Sequence, residues 1–380
     1  MVVTNDLHIC FIASLDSIHT RRWIKYFSDL GYIISVIDYS NFSITDNKDL
    51  LQNITVYKPL KINTKSKAID TILRLLLLPI NSWKLSNIIN KLKPDIVHSH
   101  YINDWSFIGA IHFDGPLVTT AWGSDILSTN LLAKISKGFK KYVMGKSTII
   151  TCDGHFIRSS IENFGVEPSK IEIINFGTDT ELFNPKHRLP KHNLELIDKG
   201  SINVISLRNL ELIYDIDSLI LATPEVLKTY PKVNFIICGT GNDEKRLKLL
   251  AKSVGTDGNI KFAGAIKQKD LPTLLANADI YISTALSDAG LSASTAESMA
   301  SGTAVIVTEG SDNHIWIDDG NSGYLIPHKS PGILATKIIN LIENPEKRTS
   351  FGEKGRKKIV EDNNWNTEMN KMKNIYENLK

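Results

Sequence analysis

Short apolar runs alternate with stretches of helical periodicity along most of the chain. His8 to Ala13 is apolar and is followed by a polar turn from Ser14 to Thr20. Trp23, Phe27 and Leu30 then recur at helical spacing, Gly31 stops the helix, and Ile33 to Ile37 forms the next apolar run. This pattern is a βαβ unit, so a parallel sheet begins at the N-terminus. Further strands are expected at Ile54 to Tyr57, Pro94 to His100, Leu117 to Thr119, Thr148 to Cys152 and from Ile171, with a helical stretch from Ile69 to Leu92.

After Phe183-Asn184-Pro185 the chain turns polar and basic, the best linker candidate, and a second α/β series opens at Ile202 to Leu207. It continues through Val233 to Cys238, Ile260 to Phe262, Asp279 to Ser283 and Ala304 to Thr308, with helices between and a helical tail to Lys380. At 380 residues the chain exceeds one comfortable core, which also points to two domains. The expected division is residues 1–185, a linker at 186–200, a second domain at 201–358 and a final helix at 359–380.

In open α/β sheets ligands sit beyond the carboxyl ends of strands, and several chemically capable residues fall there. Ser287 to Thr308 reads as a strand end, a small-residue turn, a helix opening between Ser292 and Ser294, Gly302 and another strand. The free N–H groups of such a helix favour an anion, and Glu297, one turn in, could grip sugar hydroxyls. Equally, Ser294-Thr295-Ala296-Glu297 fits a capping box, in which Glu297 only serves its own helix. Arg208, directly after a strand, suits a phosphate; its other reading is an ion pair with nearby Glu211. Gly239-Thr240-Gly241 lacks the third glycine of a dinucleotide fingerprint but lets a backbone pass close to a nucleotide.

In the first half, His98 and His100 end one strand, and Trp122, Gly123, Ser124 and Asp125 follow the next. With no third ligand in view, His100 and its polar neighbours read as a rim for a hydroxylated acceptor rather than a metal site. No Ser/His/Asp or Cys/His nucleophile motif is evident, and no Gly-x-x-x-x-Gly-Lys-Ser/Thr phosphate loop is present.

Composition adds three points. The net charge of +3 does not imply nucleic acid, but residues 51–146 hold 13 Lys+Arg against 5 Asp+Glu, a local excess of +8. Leu127, Leu131, Leu132, Ile135, Phe139 and Val143 form one helical stripe, with Lys134, Lys137 and Lys141 on another face. That face is either a solvated surface or a dock for an anionic membrane or lipid-phosphate acceptor. The three cysteines, Cys10, Cys152 and Cys238, are far apart, and Met1 to Asp6 has no signal-sequence character. The expected place is therefore the cytosol or the cytosolic face of a membrane.

Taken in order, Pro94-Asp95-Ile96-Val97-His98, Gly123-Ser124-Asp125, Ile174 to Asp179, Gly239-Thr240-Gly241, Ala296 to Gly302 and Gly320 to Pro327 resemble glycosyltransferase family 4, the retaining GT-B enzymes. The resemblance covers nearly the whole chain. It implies two Rossmann-like domains facing across a cleft, with the last helix crossing back to the first. It also implies transfer from a nucleoside-diphosphate sugar to a hydroxyl of a glycan, polysaccharide or lipid-linked acceptor, without metal or cofactor. By the same resemblance Arg208 grips the diphosphate and Glu297 holds the ribose. Gly290, Leu291 and Ser292 approach phosphate and sugar, and His19, His100, Trp122, Ser124 and Asp125 face the acceptor.

The sequence departs from the family where Ala289 replaces an acid, leaving Asp288 as nearest substitute, where Tyr214 replaces a lysine, and where Trp122 replaces a histidine. The N-terminal turn also lacks the usual glycine pair. Two alternatives stay open: a GT-B nucleotide-sugar epimerase and, motivated by these departures, a non-catalytic GT-B glycan- or partner-binding protein.

Overall fold

The computed structural model describes residues 6–43, 53–60, 73, 76–127, 137–188, 196–198 and 200–380. It divides into two compact units, residues 1–174 with 369–380 and residues 175–368.

The first unit carries a seven-stranded sheet: β1 (His8–Ala13), β2 (Ile33–Asp38), β3 (Ile54–Tyr57), β4 (Ile96–His100), β5 (Leu117–Ala121), β6 (Ile149–Cys152) and β7 (Ile171–Ile173). Their spatial order is β3-β2-β1-β4-β5-β6-β7, and every pairing is parallel. β1 therefore lies between β2 and β4, and the winding reverses between β1 and β4. Such a reversal leaves a crevice beyond the carboxyl ends of the two strands.

The second unit has β8 (Asn203–Leu207), β9 (Asn234–Cys238), β10 (Ile260–Gly264), β11 (Ile280–Ser283), β12 (Ala304–Thr308) and β13 (Tyr324–Ile326). Their order is β10-β9-β8-β11-β12-β13, again all parallel, with the reversal between β8 and β11. Successive residues of these strands enter two different cores. Val204, Phe235, Ile280 and Ile306 pack on one face, and Ile205, Ile236, Tyr281 and Val305 on the other. A strand buried on both faces reads as continuous apolar sequence, which is why these runs are legible.

The division between units falls at Ile174/Asn175, earlier than the expected residue 185. Phe183, on the first-domain side of the expected boundary, packs with Ile197, Ile205 and Tyr281 in the second core. Part of the expected linker, 189–195 and 199, lies outside the described residues, as do residues 69–72, 74 and 75 of the expected helix Ile69 to Leu92. The described helix there is Leu78–Leu92.

The last helix, Trp365–Asn378, begins in the second unit and ends in the first. In the first unit Tyr376 is fully buried, and its hydroxyl meets His98 Nδ1 at 2.5 Å. His98 Nε2 continues to Thr120 Oγ1 at 2.6 Å, and that oxygen to Thr151 Oγ1 at 2.6 Å. This chain of hydrogen bonds ties the helix to β4, β5 and β6. It occupies both ring nitrogens of His98, so that residue is structural. Among the described residues no helix is long and apolar enough to cross a membrane.

Candidate functional site

In the second unit Arg208 leaves the end of β8, and the turn holding Asp288 follows β11, so the two approach each other at the point where the winding reverses. The guanidinium is 7% exposed. Its Nη2 donates to Asp288 Oδ1 and its Nη1 reaches Ser294 Oγ at 3.4 Å, while Nε is buried with no hydrogen-bond partner. Tyr214, at the position expected from the resemblance to carry a lysine, lays its ring under the guanidinium, 4.4 Å from centroid to Cζ. Burial works against the charge on Arg208, but Asp288, Tyr281 and Tyr214 outweigh it and hold its pKa above the ordinary arginine value. Glu211, the ion-pair partner that sequence proximity offers, is engaged elsewhere: it accepts from the backbone N–H and side-chain amide of Asn242.

The helix expected near Ser292 to Ser294 is Ala293–Ala300. Its N-cap is Ser292, whose hydroxyl accepts from Thr295 N–H at 3.3 Å and meets Thr295 Oγ1 at 2.7 Å. The cap therefore stands two residues before the register required by a Ser294/Glu297 capping box. Ser294 is instead inside the first turn, where its hydroxyl links Arg208 to Tyr281 Oη at 2.8 Å. Glu297 is half-buried one turn further on. Leu291 places its side chain in the core, and Gly290 is buried beside it.

Gly239 and Gly241 have a packing explanation. A Cβ on Gly239 would lie 2.2 Å from the Arg208 carbonyl oxygen, and one on Gly241 would lie 2.1 Å from that of Leu210. The glycines let the 239–241 turn press against the backbone that carries Arg208, and Leu210 N–H donates to Thr240 O at 3.0 Å. Their contribution to the site is to set where Arg208 stands.

In the first unit a cavity of about 350 Å³ opens beyond the carboxyl ends of adjacent strands β2, β1, β4 and β5. Ser14 follows β1, Tyr39 follows β2, Tyr101 and Asn103 follow β4, and Trp122 follows β5; Ser17 and Thr20 come from the helix Ile18–Asp29 and its cap. His100, the last residue of β4, is 2% exposed, with Nδ1 3.1 Å from Thr20 Oγ1 and Nε2 buried without a partner. Burial, with His19 nearby, pulls its pKa down to about 3, so the ring is neutral at ordinary pH.

Tyr101 holds a φ of 79°. A non-glycine residue in the left-handed region stores strain that the surroundings must over-determine, and such residues gather at binding sites. The Tyr101 hydroxyl meets Ser124 Oγ at 3.0 Å, tying the loops after β4 and β5 together. Asp125 does the same from below. Its carboxylate accepts from Ile102 N–H at 2.8 Å and from Trp122 N–H at 3.0 Å. Burial raises its pKa to about 6 against those backbone hydrogen bonds. Asp125 is thus a positioning residue rather than an acceptor contact. His19 lies edge-on to Trp122 at 5.6 Å, and burial, helped by Arg22, lowers its pKa to about 4.

The expected basic helix is only partly described, as Lys134 and much of the apolar stripe lie outside the described residues. In Lys137–Lys146, Lys137 and Lys141 are exposed, but the buried face runs through Lys140, Val143 and Met144 while Phe139 is 44% exposed. Phe139 packs on Phe107, with ring centroids 4.7 Å apart. Among the described residues no group of three or more His, Cys, Asp or Glu is placed to hold a metal ion.

Residues 189–358 match the family model for glycosyl transferases group 1, and residues 8–154 match that for glycosyl transferase 4-like proteins. An uncharacterized glycosyltransferase of Methanocaldococcus jannaschii is 34% identical over 150 residues, 39% of this chain and 38% of the relative. Other curated relatives, 22–23% identical, match over only 64–65% of their own length. The crystal structure of a glycosyltransferase from Rickettsia africae superposes with a TM-score of 0.82 at 19% identity, covering 99% of each chain. That of Anabaena HepE in complex with UDP gives 0.79 at 15% identity, covering 98% of this chain and 100% of the other. The two family models, matched in the two halves, place the chain among the group 1, family 4-like glycosyltransferases, and its two parallel Rossmann-like sheets take the GT-B fold.

Proposed function

We propose that this protein transfers a glycosyl group from a nucleoside-diphosphate sugar to a hydroxyl acceptor with retention of configuration. The observation that carries this reading is Arg208, a buried guanidinium at the strand reversal of the second unit, bonded to the first turn of a helix whose N–H groups open on the same edge. A cation and a helix N-terminus converging on one point favour a diphosphate. The HepE structures hold UDP and UDP-glucose, which supports a nucleotide-sugar donor.

In the proposed step the acceptor oxygen bonds to the anomeric carbon on the face from which the leaving oxygen departs. The bond from that carbon to the diphosphate breaks, and the acceptor's proton passes to a departing phosphate oxygen. Arg208 and the helix opening stabilise the charge that develops on the leaving group, and Glu297 holds the nucleoside hydroxyls. Removing one such electrostatic contact costs roughly 3–4 kcal/mol of barrier in comparable sites. Glycan, polysaccharide and lipid-linked acceptors all fall within this reading, as does docking on a cytosolic membrane face through Lys137 and Lys141.

Purified protein incubated with a panel of UDP- and GDP-sugars tests the proposal. Release of UDP or GDP, lost in Glu297→Ala, supports the transferase. Interconversion of the sugar without release indicates an epimerase, and no turnover with any donor indicates a binding protein.

A further inference from the structure

The residues that line the first-unit cavity carry hydroxyl, amide, imidazole and aromatic groups, and the surface they turn to it is mostly apolar. Among the described residues that line it, none carries a formal charge at neutral pH, since its one titratable ring near that range, His100, is held neutral by burial. Several ionic groups of the same unit are turned to other partners. Arg21 donates to the carbonyls of Leu15 and Asp16, and Asp125 spends its carboxylate on the amides of Ile102 and Trp122. Lys58 is paired with Asp38. Arg22 stands close enough to depress His19 but is not among the lining residues.

A phosphate or carboxylate entering such a pocket would give up part of its hydration without gaining a counter-charge, which disfavours it. Hydroxyls lose nothing comparable, because Ser, Thr and Tyr side chains can both donate to them and accept from them. The buried Nε2 of His100 lacks a partner, and a buried polar atom left unmet is penalised until a ligand group meets it. Trp122 adds a large flat apolar surface on one wall.

We infer that this cavity takes an uncharged, hydroxyl-rich ring, a sugar or cyclic polyol bearing no phosphate or carboxylate on the part that enters, seated against Trp122 with a hydroxyl at His100. That the ring is the acceptor rests on the transferase reading; its chemistry does not. The volume, about 350 Å³, is at the small end of ligand sites and suits one ring rather than a chain.

Saturation-transfer NMR and equilibrium titration of the full chain, with and without UDP, test this. The probes are glucose, galactose, mannose, N-acetylglucosamine and myo-inositol, set against glucose 6-phosphate, mannose 6-phosphate and inositol 1-phosphate. At least one neutral ring should bind, with its phosphorylated counterpart about tenfold weaker or worse. Trp122→Leu should weaken the neutral ring by about tenfold while Trp122→Phe keeps most of the affinity, both with the wild-type melting temperature. A tighter phosphorylated ligand, no binding by any neutral ring in either condition, or indifference to Trp122→Leu overturns the inference. Neutral-ring binding without turnover of any nucleotide-sugar would sink the transferase reading and leave the pocket's chemistry standing.

Discussion

Arg208 and Asp288, 80 residues apart in sequence, form a buried ion pair across the β8/β11 reversal, with side chains 7% and 13% exposed. The carboxylate occupies one edge of the guanidinium that the proposed mechanism directs at a diphosphate. An anionic donor and Asp288 thus compete for the same charge. Removing one member of a buried pair destabilises, because the other is left buried and uncompensated. Asp288→Asn should therefore lower folding stability by about 1–3 kcal/mol yet raise UDP or GDP affinity several-fold, roughly 1 kcal/mol. Urea unfolding and isothermal titration check the two signs separately. Weaker nucleotide binding in the variant would show that Asp288 aids the donor rather than opposing it.

Ser292 and Glu297 separate capping from chemistry. Since Ser292 makes the cap, Ser292→Ala should cost about 1 kcal/mol of stability. Glu297→Ala should leave melting nearly unchanged and reduce turnover at least about tenfold, more than ~1.4 kcal/mol of barrier. The opposite pattern, stability lost and turnover kept in Glu297→Ala, would return Glu297 to a structural role.

Gly239→Ala should be strongly destabilising, by about 3 kcal/mol or more. Its Cβ meets the Arg208 carbonyl oxygen at 2.2 Å and its φ of 123° is hostile to a side chain. The displaced Arg208 should carry nucleotide affinity down with it. A well-folded variant with full UDP affinity would contradict the packing described for this turn.

Asp125 predicts a pH signature. Its carboxyl has a pKa near 6 in the folded chain against 3.8 for the ordinary side chain, because it is buried. A folded-state pKa above the unfolded one means stability that is fully present below the unfolded value and lost as pH rises through the folded value. Between about pH 4 and 6.5 this amounts to as much as about 3 kcal/mol. Urea unfolding of wild type and Asp125→Asn across that range should show the wild type losing stability relative to the variant as pH rises. Parallel curves would mean that burial leaves the Asp125 pKa unshifted.

The inner strands are legible because they are buried on both faces, so Ile280-Tyr281-Ile282 or Ala304-Val305-Ile306-Val307 reads as an unbroken apolar run. The order of motifs then points to the family. What escapes the sequence are contacts set by topology. Glu211 looks like the partner of Arg208 because it is three residues away, whereas Asp288 arrives only once β11 pairs with β8. The cap lies two residues earlier than the capping-box pattern suggests because Ser292 and Ser294 are chemically equivalent until the backbone leaves the helix, and Ser292 is the one with extended φ and ψ. The bond between His98 and Tyr376 spans 278 residues, and no local pattern signals it. Of the cavity, His100 and Trp122 stand out, but Ser14, Ser17, Thr20 and Tyr39 are ordinary residues in sequence and meet only because β2, β1, β4 and β5 lie side by side.

Titration of UDP and GDP into the wild-type chain and into the double variant Arg208→Ala/Asp288→Asn tests the central claim most directly. The double change removes both members of the pair, so no carboxylate is left stranded to confuse folding with binding. The account predicts that one nucleotide binds the wild type and binds the still-folded double variant about 100-fold less tightly. Equal affinity in the two proteins would contradict it.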